Sequence, residues 1–144
     1  MFAVLFHAQR YCRSEMANEE QTGNDVDRFV MEYIDTVPHL EALLLIWAGR
    51  DKPWTVDYMS ERLFLPHPSV KQILNDLVSR GLIVTGPGPD VYRYEGTPEG
   101  DRLLGLVDAT YRRELIRVSR LIHSKAPAAV RAFARAFRVR KGTE

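Results

Sequence analysis

Cysteine is nearly absent from this chain. Cys12 is the single one in 144 residues, so no internal disulfide can form, no Cys-x-x-Cys spacing exists for a metal, and a cytoplasmic location is expected. Long apolar runs are missing as well. None approaches the roughly 18 residues that a bilayer span needs, so no membrane partner is expected. Phe2–Phe6 is apolar but short, and its basic residues, Arg10 and Arg13, follow it instead of preceding it. No export signal is expected from that order, and Met16 offers an alternative start.

Catalytic patterns are also lacking. His7, His39, His67 and His123 are scattered, with no His-Glu-x-x-His spacing and no Gly-x-Ser-x-Gly elbow. Asp57 and Glu61 lie four apart, but beside Arg62 they read as a solvated helix face. His67, just before Pro68, reads as a turn or capping residue and not as a base, because it has no sequence-local partner. Trp47 and Trp54 read as core anchors. No enzyme, cofactor or metal is expected.

A large net charge is missing too, although the charge is unevenly spread. The formal net charge is +1, yet residues 24–96 hold 7 Lys or Arg against 11 Asp or Glu, and residues 97–144 hold 11 against 5. The first stretch is therefore acidic and the second basic. A nucleic-acid binder should show a basic patch, and here it falls mostly towards the C-terminus.

What the sequence does have is centred on Leu63–Ile83. Pro68 suits the first turn of a helix, where a missing N–H costs nothing, and Gly81 suits the left-handed residue that ends one. Between them Val70, Ile73, Leu74 and Leu77 recur at helical spacing. The opposite face carries Gln72, Asn75 and Ser79, with Lys71 and Asp76 on its flanks. Such a face suits a major groove, where Gln and Asn pair with adenine edges and Ser and Lys with phosphates. It equally suits an ordinary amphipathic helix with a solvated back.

Around this stretch the pattern is mostly helical. Residues 1–23 lack a sustained period, and Ala17–Asn24 is polar enough for a mobile arm. From Asp25, the residues Val26, Phe29, Val30, Tyr33 and Ile34 predict a first helix to about Thr36. Leu40, Leu43, Leu44 and Trp47 predict a second, ending near Gly49. Thr55 caps a short third helix with Val56, Met59 and Leu63 facing inward. Leu82–Val84 and Val91–Tyr94 flank the turn residues Thr85–Asp90 and predict a hairpin. Its prolines have no N–H to donate, so the loop is not a phosphate cradle.

Thr97-Pro98-Glu99 then opens a helix with cap, proline and acid in the favoured order. Leu104, Val107, Tyr111, Leu115, Val118 and Ile122 keep a helical step as far as Ser124. A continuous helix of that extent would measure ~40 Å, more than a small winged domain can cover. These six residues are therefore expected to form a dimerisation face, with coverage by the first and last helices of the same chain as the alternative. Pro127 opens a last helix with Val130, Phe133 and Phe137 on one side and Arg131, Arg135 and Arg138 on the other. Arg140 and Lys141 continue that basic face, which reads as a solvated surface, a phosphate-tracking stripe or an anionic-membrane contact.

This order resembles the MarR and PadR groups of bacterial transcriptional regulators. The residues that carry the resemblance are Pro68-Ser69-Val70 with Leu74 and Leu77, then Arg80-Gly81-Leu82-Ile83, and Thr97-Pro98-Glu99-Gly100 with Leu103-Leu104. It covers about Leu40 to Leu106. It implies a mainly α fold with a small β-hairpin wing, a winged helix-turn-helix at 24–96, and long C-terminal helices at 97–144 forming a dimerisation region with a basic tail. The implied function is sequence-specific binding of double-stranded DNA by a homodimeric regulator, with recognition helix 68–80 in the major groove. Ser69, Lys71, Gln72, Asn75 and Ser79 would then contact DNA, and Arg93 in the wing would reach a phosphate or the minor groove. The acidic winged region and a wing tip without basic residues suit an alternative: a winged-helix module whose partner is a protein.

Overall fold

The computed structural model describes residues 2–125, with side chains from Asn18 onward. Six helices and one hairpin follow each other: α1 (Phe2–Tyr33), α2 (Val37–Ala48), α3 (Val56–Leu63), α4 (His67–Ser79), β1 (Val84–Thr85), β2 (Tyr92–Arg93), α5 (Pro98–Arg113) and α6 (Leu115–His123). The last helix expected from the sequence, with its arginine stripe, lies outside the described residues.

Side chains written in the sequence start most of these helices. Thr36 and Thr55 accept from the backbone N–H groups of His39 and Tyr58, and Thr97 accepts from that of Gly100. Each satisfies a first-turn donor that has no partner within its helix. Pro68 lies within the first turn of α4, where it removes no helical bond. At the other end of α4, Gly81 takes φ +72. There the Gly81 N–H donates to Val78 O and the Leu82 N–H to Leu77 O, both at 3.0 Å. That paired closure needs a left-handed residue, which glycine adopts at little cost.

α2, α3 and α4 pack on one another as the helix-turn-helix. Val70, Leu74 and Leu77 of α4 are fully buried among Leu40, Leu43, Ile46 and Met59. The hairpin after α4 pairs Val84 with Arg93 and Thr85 with Tyr92. A bridge from Trp54 to Tyr92 ties it back to the loop before α3. The architecture is thus mainly helical with a small antiparallel wing, a winged helix-turn-helix. Among the described residues no helix is long and apolar enough to cross a membrane.

Phe64 ends α3 in the left-handed region, with φ 56, and its side chain is 92% exposed. An L-residue there costs about 1–2 kcal/mol, whereas glycine loses about 0.5–1 kcal/mol of chain entropy. With no packing to lose, Phe64→Gly should raise stability by about 0.5–1 kcal/mol, read as a higher urea midpoint at unchanged slope.

Two expectations fail at the ends of the described chain. Where a polar arm was expected, α1 is already helical from Phe2 and crosses the expected boundary at residues 23 and 24. Glu19, Glu20 and Gln21 are good helix formers, and their polarity marks an exposed helical face instead of a loop. Thr22 Oγ1 turns back to Asn18 O at 2.7 Å, which uses the hydroxyl inside the helix.

The long C-terminal helix is also interrupted. Glu114 leaves helical geometry, with φ −127 and ψ 46, and separates α5 from α6. The apolar stripe passes from Tyr111 to Val118 through position 114, and a buried carboxylate there would be costly. The backbone break instead lets Glu114 pair with Arg117 at 2.8 Å, while Arg117 also reaches Asp27 of α1 at 2.9 Å.

Five of the six residues expected to form a dimerisation face lie inside the protomer. Leu104, Val107, Tyr111, Val118 and Ile122 are buried within the protomer. α1 packs along α5 and α6 and contributes Val26, Phe29 and Val30 to the same core, with Ile34 just past its end. Cover by the first helix of the same chain is the arrangement found. Of the six residues only Leu115 stays outward, 51% exposed, next to Ile116 at 67%.

Candidate nucleic-acid interface

α4 exposes its polar face and hides its apolar one. Ser69, Lys71, Gln72, Asn75 and Ser79 are exposed, while Val70, Ile73, Leu74 and Leu77 are buried. Successive exposed residues follow from the 100° step of the helix, so five of the six residues expected to contact DNA share one surface. Arg93 sits apart from them on β2.

These side chains are not equally available. Ser79 donates its hydroxyl to Asn75 O at 2.9 Å, leaving only lone pairs to offer outward. Gln72 Nε2 donates to Asp76 Oδ1 at 3.0 Å. The other carboxylate oxygen of Asp76 lies 2.9 Å from Nε2 of the buried His39. Asp76, on the flank of that face, is held between a helix neighbour and a core histidine. Arg93 Nε donates to Gly86 O at 2.8 Å, and its guanidinium pairs with Glu95 at 3.2 Å. Its first role is therefore to close the hairpin, and at the wing tip Asp90 is exposed.

The ends of α4 are tied into the rest of the chain. At its start, His67 Nε2 is 2.6 Å from Asp57 Oδ1 of α3, so His67 bridges the two helices across the turn. At its end, Arg80 donates to Tyr33 O at 2.6 Å and pairs with Asp35. Burial disfavours the charge on Asp35. The hydrogen bond and charge of Arg80, with His39 and Lys125 nearby, outweigh that and hold the carboxyl below its usual range. Lys125, at the end of α6, donates to Val30 O and Ile34 O. The terminal carbonyls of α1 thus receive cations from both α4 and the end of α6, as the negative end of a helix dipole favours.

The contacts of His39 and Asp35 were not visible in the sequence. They join residues 37 and 45 positions apart, and no local spacing announces such a pair. The nearest signal was Thr36-x-x-His39, a cap with a histidine in its first turn. Among the described residues no group of His, Cys, Asp and Glu is arranged to hold a metal ion.

No family model matches the chain, and no curated protein matches it. Solved structures do match. The chain is similar to MarR family transcriptional regulators. A regulator of this family from Streptomyces coelicolor is 26% identical, with a TM-score of 0.48, over 94% of this chain and 95% of that one. MepR, a transcription regulator of the Staphylococcus aureus multidrug efflux pump MepA, is 14% identical, with a TM-score of 0.47, over 91% of this chain and 95% of its own. A MarR family protein from Bacillus stearothermophilus is 19% identical, with a TM-score of 0.43, over 100% and 99%.

Proposed function

We propose that this chain is a cytoplasmic transcriptional regulator that binds double-stranded DNA as a homodimer, with α4 in the major groove and the hairpin beside it. The observation that carries this reading is the division of α4 into a buried apolar side and an exposed side bearing Ser69, Lys71, Gln72 and Asn75. Lys71 supplies charge to the phosphates, Ser69 a hydroxyl at the open start of the helix, and Gln72 and Asn75 the hydrogen-bonding groups for base edges. A second copy, joined through the exposed Leu115 and Ile116, would set a second α4 about one helical turn of DNA away.

Selection from a randomised duplex library tests this directly. Gln72→Ala and Asn75→Ala should each relax the selected sequence at one base pair, by about 1–3 kcal/mol per good pair lost. Lys71→Ala should weaken all sequences alike and lower the salt slope by about 0.9. Selection of no sequence by the unaltered protein would remove the proposal.

One observation favours a second reading. Arg93 is engaged with Gly86 and Glu95 and Asp90 is exposed at the wing tip, so the wing offers little positive charge. A protein partner of the polar α4 face would not need it. Recovery of a single protein partner with the purified chain, unchanged by nuclease treatment, would favour that reading over DNA.

A further inference from the structure

Thr36, His39, Asp76 and Gln72 form a hydrogen-bonded chain from the start of α2 to the outer face of α4. Thr36 Oγ1 and His39 Nδ1 are 2.7 Å apart, His39 Nε2 and Asp76 Oδ2 are 2.9 Å apart, and Gln72 Nε2 is 3.0 Å from Asp76 Oδ1. His39 is 6% exposed, while the Asp76 side chain retains 30%. The chain therefore passes through the buried His39 and ends on a residue of the candidate reading face.

A carboxylate only accepts hydrogen bonds, so both neighbours of Asp76 must turn an N–H towards it. For His39 this fixes Nε2 as protonated. For Gln72 it fixes the amide: Nε2 faces Asp76, and Oε1 with one remaining N–H is left for a ligand. A glutamine without such a neighbour presents either end of its amide by rotating the last torsion. Asp76 removes one of those choices, and the buried His39 holds Asp76 in place.

We infer that His39 and Asp76 are positioning residues that set Gln72 to read adenine in preference to guanine. In the major groove adenine offers the N7 acceptor and the N6 donor, whereas guanine offers two acceptors, N7 and O6. The held amide has one acceptor and one free donor, which complements adenine. Against guanine it has one donor for two acceptors, and Oε1 meets O6. The inference rests on the DNA-binding proposal and adds to it which base one residue selects and what enforces the choice.

The test begins with the sequence selected by the unaltered protein from a randomised duplex library, and with the base pair at which Gln72→Ala loses preference. Affinities for duplexes carrying A·T or G·C at that pair are then compared for the unaltered protein and for His39→Leu, His39→Gln and Asp76→Ala. The unaltered protein should prefer adenine about tenfold, within the range one good bidentate pair supplies. In His39→Leu and Asp76→Ala the ratio should fall below about threefold with an unchanged salt slope. Asp76→Ala should also bind both duplexes more tightly, because a negative charge is gone. His39→Gln, which can still donate an N–H to Asp76, should keep the adenine preference.

Retention of the full ratio in Asp76→Ala, or an equal loss on both duplexes in a folded His39→Leu, would overturn the inference. So would selection by the unaltered protein that Gln72→Ala leaves unchanged, and in that case the DNA-binding proposal survives. Should His39→Leu fail to fold, Asp76→Ala, at a partly exposed position, decides alone. Selection of no sequence at all counts against the DNA-binding proposal and takes this inference with it.

Discussion

Ile122→Asp is expected to unfold the protein. Ile122 is 1% exposed and lies in the layer where α6 meets α1, together with Val118, Val26 and Val30. A carboxylate there must be buried without a partner or break the layer apart, and either costs more than about 4 kcal/mol. A total stability at the lower end of the usual range of about 5–15 kcal/mol does not survive that loss. Ile116, two-thirds exposed on the same helix, gives the contrast. Ile116→Asp should leave the protomer folded, with an unchanged helical circular-dichroism spectrum, yet convert the proposed dimer to a monomer in sedimentation. A folded, monomeric Ile122→Asp would show that the buried stripe is the subunit interface and that α1 does not cover it.

Trp54→Ala is the second large effect, and it acts on the wing. The indole is almost fully buried, its Nε1 donates to Gly49 O at 2.8 Å, and its ring lies 4.8 Å from that of Tyr58. A Cβ on Gly49 would stand 2.9 Å from the indole, so only glycine admits the ring there without a shift. The backbone oxygen of Trp54 accepts the Tyr92 N–H at 2.8 Å, which anchors β2. Truncation to alanine leaves a cavity under the hairpin and should cost about 3–5 kcal/mol. Urea unfolding followed by the remaining Trp47 fluorescence measures it, and hydrogen exchange should accelerate at Tyr92 before the rest of the core. A loss below about 1 kcal/mol would mean that the wing does not depend on this anchor.

The parts of the fold that were legible from the residues are those written locally. Thr55 and Thr97 are followed by helical periods, Gly81 follows the last turn of α4, and the Gly and Pro cluster after Thr85 separates two short apolar runs. Each is a short-range signal with one physical meaning, and each lies where it was expected. The polar face of α4 was legible for the same reason, because a 100° step sorts residues without any knowledge of the neighbours.

What was not legible depends on which element lies opposite. The stripe from Leu104 to Ile122 needs a cover, and periodicity does not say whether that cover comes from another copy or from α1. Glu114 carries no helix-breaking signature of the proline or glycine kind, so the kink follows only from the burial it avoids. The family resemblance placed Arg93 in the wing, and helical spacing placed Asp76 on a flank of α4. Their partners, Gly86 with Glu95 and His39 with Gln72, change what each can offer to a ligand.

Whether the exposed face of α4 meets a polyanionic duplex is read from the affinity of the purified chain for fluorescent duplex DNA across a salt series. Release of counterions from neutralised phosphates predicts a straight fall of log K with log salt, with a slope near −0.9 per phosphate contacted, and a shallower line for Lys71→Ala. No binding at low salt, or binding that does not change with salt, would mean that α4 does not meet DNA.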